Sequence, residues 1–206
     1  MSGIFVNYRT GDDDFAAALV DDHLRGVFGE ENVFRDSRSL TAGTDFPPEL
    51  WRRLMGSKVL LVLIGPRWLT LTHTSGGRRV DRPDDFVRRE IEAAFAARIR
   101  VIPVLLNGAP LPAAEDLPAS LRGLTTRQAV SLRQRESGKD LGHLVEVLSA
   151  LVKPREKPAE KASGEPAGDD RHSVSFQQGG VYLGPHATVH GGNFAGRDQI
   201  VRGDSS

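Results

Sequence analysis

Apolar residues fall into two alternating patterns along this chain. Short apolar runs of strand length occur at "GIFVNY" (3–8), "NVFRD" (32–36), "KVLLVLI" (58–64), "RVIPVLL" (100–106) and "RQAVSL" (127–132). Between them the apolar positions take helical spacing. Phe15, Leu19, Val20, Leu24 and Val27 share one side of a helix over 13–28, with Asp12 as its N-cap. "PPELWRRLM" starts a second helix with prolines in its first turn, where a missing N–H costs nothing. A third is predicted over 84–98, "DDFVRREIEAAFAAR", and a closing one over 140–152, "DLGHLVEVLSALV". The run at 58–64 has no polar alternation, as expected of a strand covered on both faces.

Strand–helix alternation of this kind implies parallel strands joined by right-handed crossovers. The expected architecture is α/β: a flavodoxin-like five-stranded parallel sheet with helices on both faces. Ligands of such sheets bind beyond the carboxyl ends of the strands, where the strand order reverses. That rule marks Asn7, Tyr8 and Arg9 after the first strand. It also marks Asp36 with its loop after the second, and Pro66, Arg67 and Trp68 after the third.

The pattern changes near residue 153. Residues 1–152 read as one domain. Residues 153–172, "KPREKPAEKASGEPAGDDRH", are charged, contain proline and read as a linker. Residues 173–206 form a Gly-rich tail. Within it "GGVYLGPHATV" (179–189) and "GGNFAGRDQIV" (191–201) match at a twelve-residue offset. Its composition fits a disordered end; its β-formers between glycine turns also fit a short assembly motif.

Composition narrows the chemistry by exclusion. Lys+Arg and Asp+Glu both number 27, so net charge gives no pull toward nucleic acid or membrane. There is no cysteine, hence no disulfide and no thiolate metal site. The six histidines are scattered and no cysteine accompanies them, so no metal is expected. Neither a Walker A loop nor a G-x-G-x-x-G follows the first strand, and there is no G-x-S-x-G elbow. No apolar run reaches membrane length, and "MSGIFVNYR" enters a strand without a signal-peptide pattern. The expectation is a cytoplasmic protein.

One charge stands out. On a helical wheel Val87, Ile91, Ala94 and Phe95 make the buried stripe of the third helix, and Glu90 lies at its flank beside Phe86, Ala93 and Ala97. Arg88, Arg89 and Glu92 point elsewhere. A carboxylate among small residues leaves room for a ligand, but spacing alone favours the plainer role of a boundary residue with a helix-pair or dipole contribution. Trp68 roofs the core or walls a pocket. Tyr8 and Arg9 either recognise phosphate or ribose or are solvated. The loop "SRSLTAGTDF", with Gly43 at its centre, suits a contact surface or mobile lid.

Five blocks in order, "IFVNYRTGD", "VFRDSRSLTAGTDF", "VLLVLIGPRWL", "DDFVRREIEAAF" and "VIPVLLNGAPLPAAEDLPASL", resemble the bacterial TIR (Toll/interleukin-receptor) domain over about residues 1–152. The resemblance implies a flavodoxin-like fold and one of two activities. Some members are adaptors that act through TIR–TIR contacts; others cleave NAD+ at the nicotinamide–ribose bond, with NAD+ as substrate and no cofactor. It assigns the catalytic glutamate to Glu90 and places Asn7, Tyr8, Arg9, Asp36 and Trp68 around the nucleotide. Asn7 departs from the serine common there. The loop over 37–46 matches the family's BB loop, so Leu40, Gly43, Asp45 and Phe46 are assigned to assembly. The resemblance thus implies an NAD+-consuming antiphage or cell-death effector that works through TIR self-association; the tail's own β-formers and glycine turns suit recruiting a partner or self-assembly.

Overall fold

Five strands alternate with helices in chain order: β1 (Gly3–Asn7), α1 (Asp14–Phe28), β2 (Val33–Arg35), α2 (Pro48–Met55), β3 (Ser57–Ile64), α3 (Phe86–Ala96), β4 (Arg100–Leu106), β5 (Val130–Leu132) and α4 (Ser137–Ser149). They come from a computed structural model that describes residues 3–35 and 48–155. All pairings are parallel and the sheet order is β2-β1-β3-β4-β5, the flavodoxin-like order expected. β1 and β3 are therefore neighbours and the chain leaves them toward opposite edges, which makes their carboxyl ends the switch point.

Side-chain alternation divides the core into two layers. Ile4, Val6, Val59, Leu61 and Leu63 face Val20 and Leu24 of α1 and Leu144 and Leu148 of α4. Phe5, Leu60, Val62 and Ile64 face Leu54 of α2, Val87 and Ile91 of α3, and Leu121 and Leu124 of a 3-10 turn. β3 is buried from Val59 to Ile64, which explains its unbroken apolar sequence. Each such side chain removed from water contributes about 2 kcal/mol, so the central strands are the anchor on which the loops are hung.

Several elements differ in detail from their sequence patterns. β2 and β5 are three residues each, shorter than their apolar runs. α4 begins at Ser137, a turn earlier than its apolar stripe. α1 is capped by Asp13, whose carboxylate accepts from Ala16 N at 3.0 Å, and not by Asp12. α1 also buries Ala16, Ala17 and Phe28 while Phe15 is 69% exposed, so its buried face is rotated from the expected one. α3 is capped by Asp85, which accepts from Arg88 N, and ends where Arg98 turns left-handed at φ 56°. Phe95, expected in the stripe of α3, is only partly buried and packs at the edge of that layer. Among the described residues no helix is long and apolar enough to cross a membrane.

Candidate active site

The period of β1, continued past its end at Asn7, decides which residues there can meet α3. Asn7 and Arg9 leave the strand on the α3 side. Tyr8 leaves on the other, where it packs partly buried against the α1–α4 layer with the Arg35 guanidinium 5.4 Å from its ring. Asn7 is 1% exposed, and its Nδ2 donates to Glu90 Oε2 at 2.6 Å and to the Val87 carbonyl at 3.2 Å. Glu90 itself is only 3% exposed. The flank position read from the helical wheel is thus turned inward, and its carboxylate is gripped by the end of β1. Glu92 lies elsewhere, accepting from Arg88 Nε at 2.7 Å and from Ser120 Oγ at 2.6 Å. Partial burial works to raise the Glu92 carboxyl, but Ser120 and Arg88 outweigh it and hold it below the usual range.

Arg9 is more deeply engaged than a strand-end arginine in solvent. It donates to both oxygens of Asp85, at 2.8 and 2.9 Å, and lies 5.2 Å from the centre of the Trp68 ring. Trp68 is 1% exposed within the α2–α3 layer, so it roofs the core and backs the guanidinium at once. Arg79 stands beside this group, with Nε 3.7 Å from Asp85 and Nη1 donating to the Thr10 carbonyl at 3.2 Å. Burial, together with the neighbouring Arg9 charge, lowers its pKa from the ordinary arginine value.

A third buried carboxylate, after Glu90 and Asp85, joins the loops on either side. Asp12 Oδ2 accepts from Gly65 N at 2.7 Å and Oδ1 from Arg67 N at 2.8 Å, which ties the loop after β1 to the loop after β3. Burial pushes the Asp12 carboxyl above its ordinary value, against the pull of those two amides.

The structure therefore gathers Asn7, Arg9, Trp68 and Glu90 at one end of β1 and β3 and sends Tyr8 to the opposite face. Asp36, Leu40, Gly43, Asp45 and Phe46 lie outside the described residues, as do the linker from residue 156 onward and the tail. Asn7 Oδ1, Arg9 Nε and Trp68 Nε1 are buried with no hydrogen-bond partner among the described residues; such groups cost about 1–3 kcal/mol each. Among the described residues no three His, Cys, Asp or Glu side chains cluster as a metal site. What the arrangement offers chemically is one fixed carboxylate at the switch point, able to hold hydroxyls and to stabilise positive charge.

Three participants were not singled out from sequence: Asp85, the Val87 carbonyl and the clamping role of Asp12. Asp85 carries a local signal, an aspartate directly before an apolar helical period. Its pairing with Arg9, 76 residues away, carries none.

A family model described as the TIR domain matches residues 4–145. One similar solved structure is the TIR domains of the activated Roq1 resistosome directly recognising the pathogen effector XopQ. It has TM-score 0.50 and 12% identity over 71% of this chain and 98% of that one. Another is a metazoan TIR-STING receptor from C. gigas in complex with 2',3'-cGAMP. There the TM-score is 0.42 and the identity 16%, over 68% of this chain and 38% of the receptor. At 12% identity the likeness to the Roq1 TIR domains concerns the fold alone. No curated protein matches the chain.

Proposed function

The chain belongs to the TIR domain family, and from that premise we propose that it cleaves NAD+ at the nicotinamide–ribose bond, with Glu90 as the catalytic carboxylate. The observation that carries this is the placement of Glu90: buried, oriented by Asn7, and at the carboxyl ends of β1 and β3. Breaking the N-glycosidic bond develops oxocarbenium character on the ribose. Nicotinamide leaves neutral from a cationic pyridinium, so no general acid is required. One carboxylate can hold the ribose hydroxyls and stabilise the positive charge at the anomeric carbon. Water attack gives ADP-ribose; attack by an adenine nitrogen gives a cyclic product. Asn7 keeps the carboxylate aimed, and Trp68 bounds the site.

The 3% exposure of Glu90 supports low activity in the isolated protomer. Activity then rises when protomers assemble, through the loop that includes Leu40, Gly43, Asp45 and Phe46. In this proposal the tail, residues 173–206 on the linker 153–172, raises the local concentration of TIR domains, as suits an antiphage or cell-death effector. The test is nicotinamide release from NAD+ at rising protein concentration. Turnover per molecule should climb with concentration and vanish in Glu90→Gln.

The same burial favours a second reading, a signalling module that binds other TIR domains and leaves NAD+ intact. Saturable self-association with no loss of NAD+ at any concentration would select it.

A further inference from the structure

We propose that Arg9 is a positioning residue that sets the register of α3 against β1, and so the aim of Glu90, through its ion pair with Asp85. This rests on the NAD+-cleaving reading above and changes the part expected of Arg9, which had been placed against the nucleotide. Its Nη1 and Nη2 are already committed to Asp85, and its Nε is buried, so the group is held away from solvent. The side chain is fully buried, both oxygens of Asp85 accept from it, and the Trp68 ring covers it.

The route to Glu90 is short. Asp85 receives Arg9 and also caps α3 by accepting from Arg88 N at 3.0 Å. Two residues before Arg9 on the same face, Asn7 holds the Val87 carbonyl and the Glu90 carboxylate. The end of β1 thus touches α3 at its cap, its first turn and its catalytic residue. Asn7 fixes Glu90 only if the helix stands at the height and rotation that Arg9 and Asp85 impose. A competing partner is already in place, since Arg79 Nε lies 3.7 Å from the same carboxylate. Without Arg9, Asp85 turns toward Arg79, and the first turn of α3 follows its cap outward. A rise or rotation of about an ångström is enough to misplace a catalytic group and cost about a hundredfold in rate.

The experiment uses the full chain with Arg9→Met, Asp85→Asn and the pair combined. Asn still caps a helix, and the double variant removes both charges of the buried Arg9–Asp85 pair while Arg79 keeps partial contact with water, so it folds even where a single variant does not. Circular dichroism establishes that each variant is folded at the assay temperature. Nicotinamide release then gives kcat and KM for NAD+. Each variant is expected to lose about a hundredfold in kcat with KM unchanged, and the double to lose no more than the worse single. Amide hydrogen exchange in the first turn of α3 should accelerate in all three. A raised KM with kcat retained would make Arg9 a substrate contact and overturn the proposal. So would multiplicative losses in the double variant, or exchange in α3 equal to wild type. If the wild type releases no nicotinamide at all, the NAD+-cleaving reading fails, and hydrogen exchange alone decides whether Arg9 governs α3.

Discussion

Replacing Gly65 by alanine should dislodge the clamp between the two loops that frame the site. A Cβ at Gly65 would stand 2.7 Å from Asp12 Oδ1 and 2.8 Å from both Cγ and Oδ2. Those atoms cannot move aside and keep their partners, because the carboxylate accepts from Gly65 N at 2.7 Å and from Arg67 N at 2.8 Å. The substitution therefore breaks two hydrogen bonds to a charged acceptor, each worth about 1.5–3 kcal/mol. Burial holds the Asp12 carboxyl above its ordinary value, so some of that loss returns when the carboxylate regains water. A net destabilisation of about 3 kcal/mol remains, which lowers the melting temperature of a domain this size by roughly 6–12 °C. Urea unfolding followed by tryptophan fluorescence reads the change close to its origin, since Trp68 follows in the same loop. Asp12→Ala provides the control. Once the carboxylate is gone, adding Gly65→Ala should cost nothing further. A Gly65→Ala variant within about 0.5 kcal/mol of wild type, or additive losses in the double variant, would refute the clamp.

Asn7→Ala should remove the donor at 2.6 Å from Glu90. A hydrogen bond to a charged group is worth about 1.5–3 kcal/mol, so kcat for NAD+ should fall roughly ten- to a hundredfold; unchanged kinetics would release Asn7 from any part in the site. Asp140 offers a pH test. The Arg133 side chain and backbone N–H hold its carboxyl below the ordinary 3.8. The unfolded chain therefore takes up this proton first as pH falls. The contribution of Asp140 to stability is full above the ordinary value and is lost as pH drops below it toward the depressed one. Urea midpoints measured across that range should converge between wild type and Asp140→Asn as the solution is acidified; a gap that stays constant would contradict the pairing.

The fold was legible because it rests on local periodicity. β3 and β4 announce themselves as buried strands, and the alternation of strands with amphipathic stretches leaves few topologies for a parallel sheet. Periodicity marked Glu90 only as a charge at the flank of the stripe, where a boundary residue was the plainer reading; the role proposed for it came from the TIR resemblance. Neighbouring choices between like residues were harder. Asp12 and Asp13 are equally good caps by type, and only the tertiary demand of the Gly65–Arg67 backbone separates them. Phe15 has the spacing of a core residue, but the helix is rolled so that alanines lie against the sheet. The opposite facing of Tyr8 from Asn7 and Arg9 was implicit in the strand period. What local pattern could not contain is the pairing of Arg9 with Asp85, because ion pairs across 76 residues leave no periodic trace.

The proposed role of Glu90 in cleaving NAD+ is tested by nicotinamide release from concentrated, assembled protein of residues 1–206, compared with Glu90→Gln at the same degree of assembly. Turnover should rise with wild-type concentration and be absent from the variant, while self-association of the two is equal. Turnover that survives in Glu90→Gln would contradict that role.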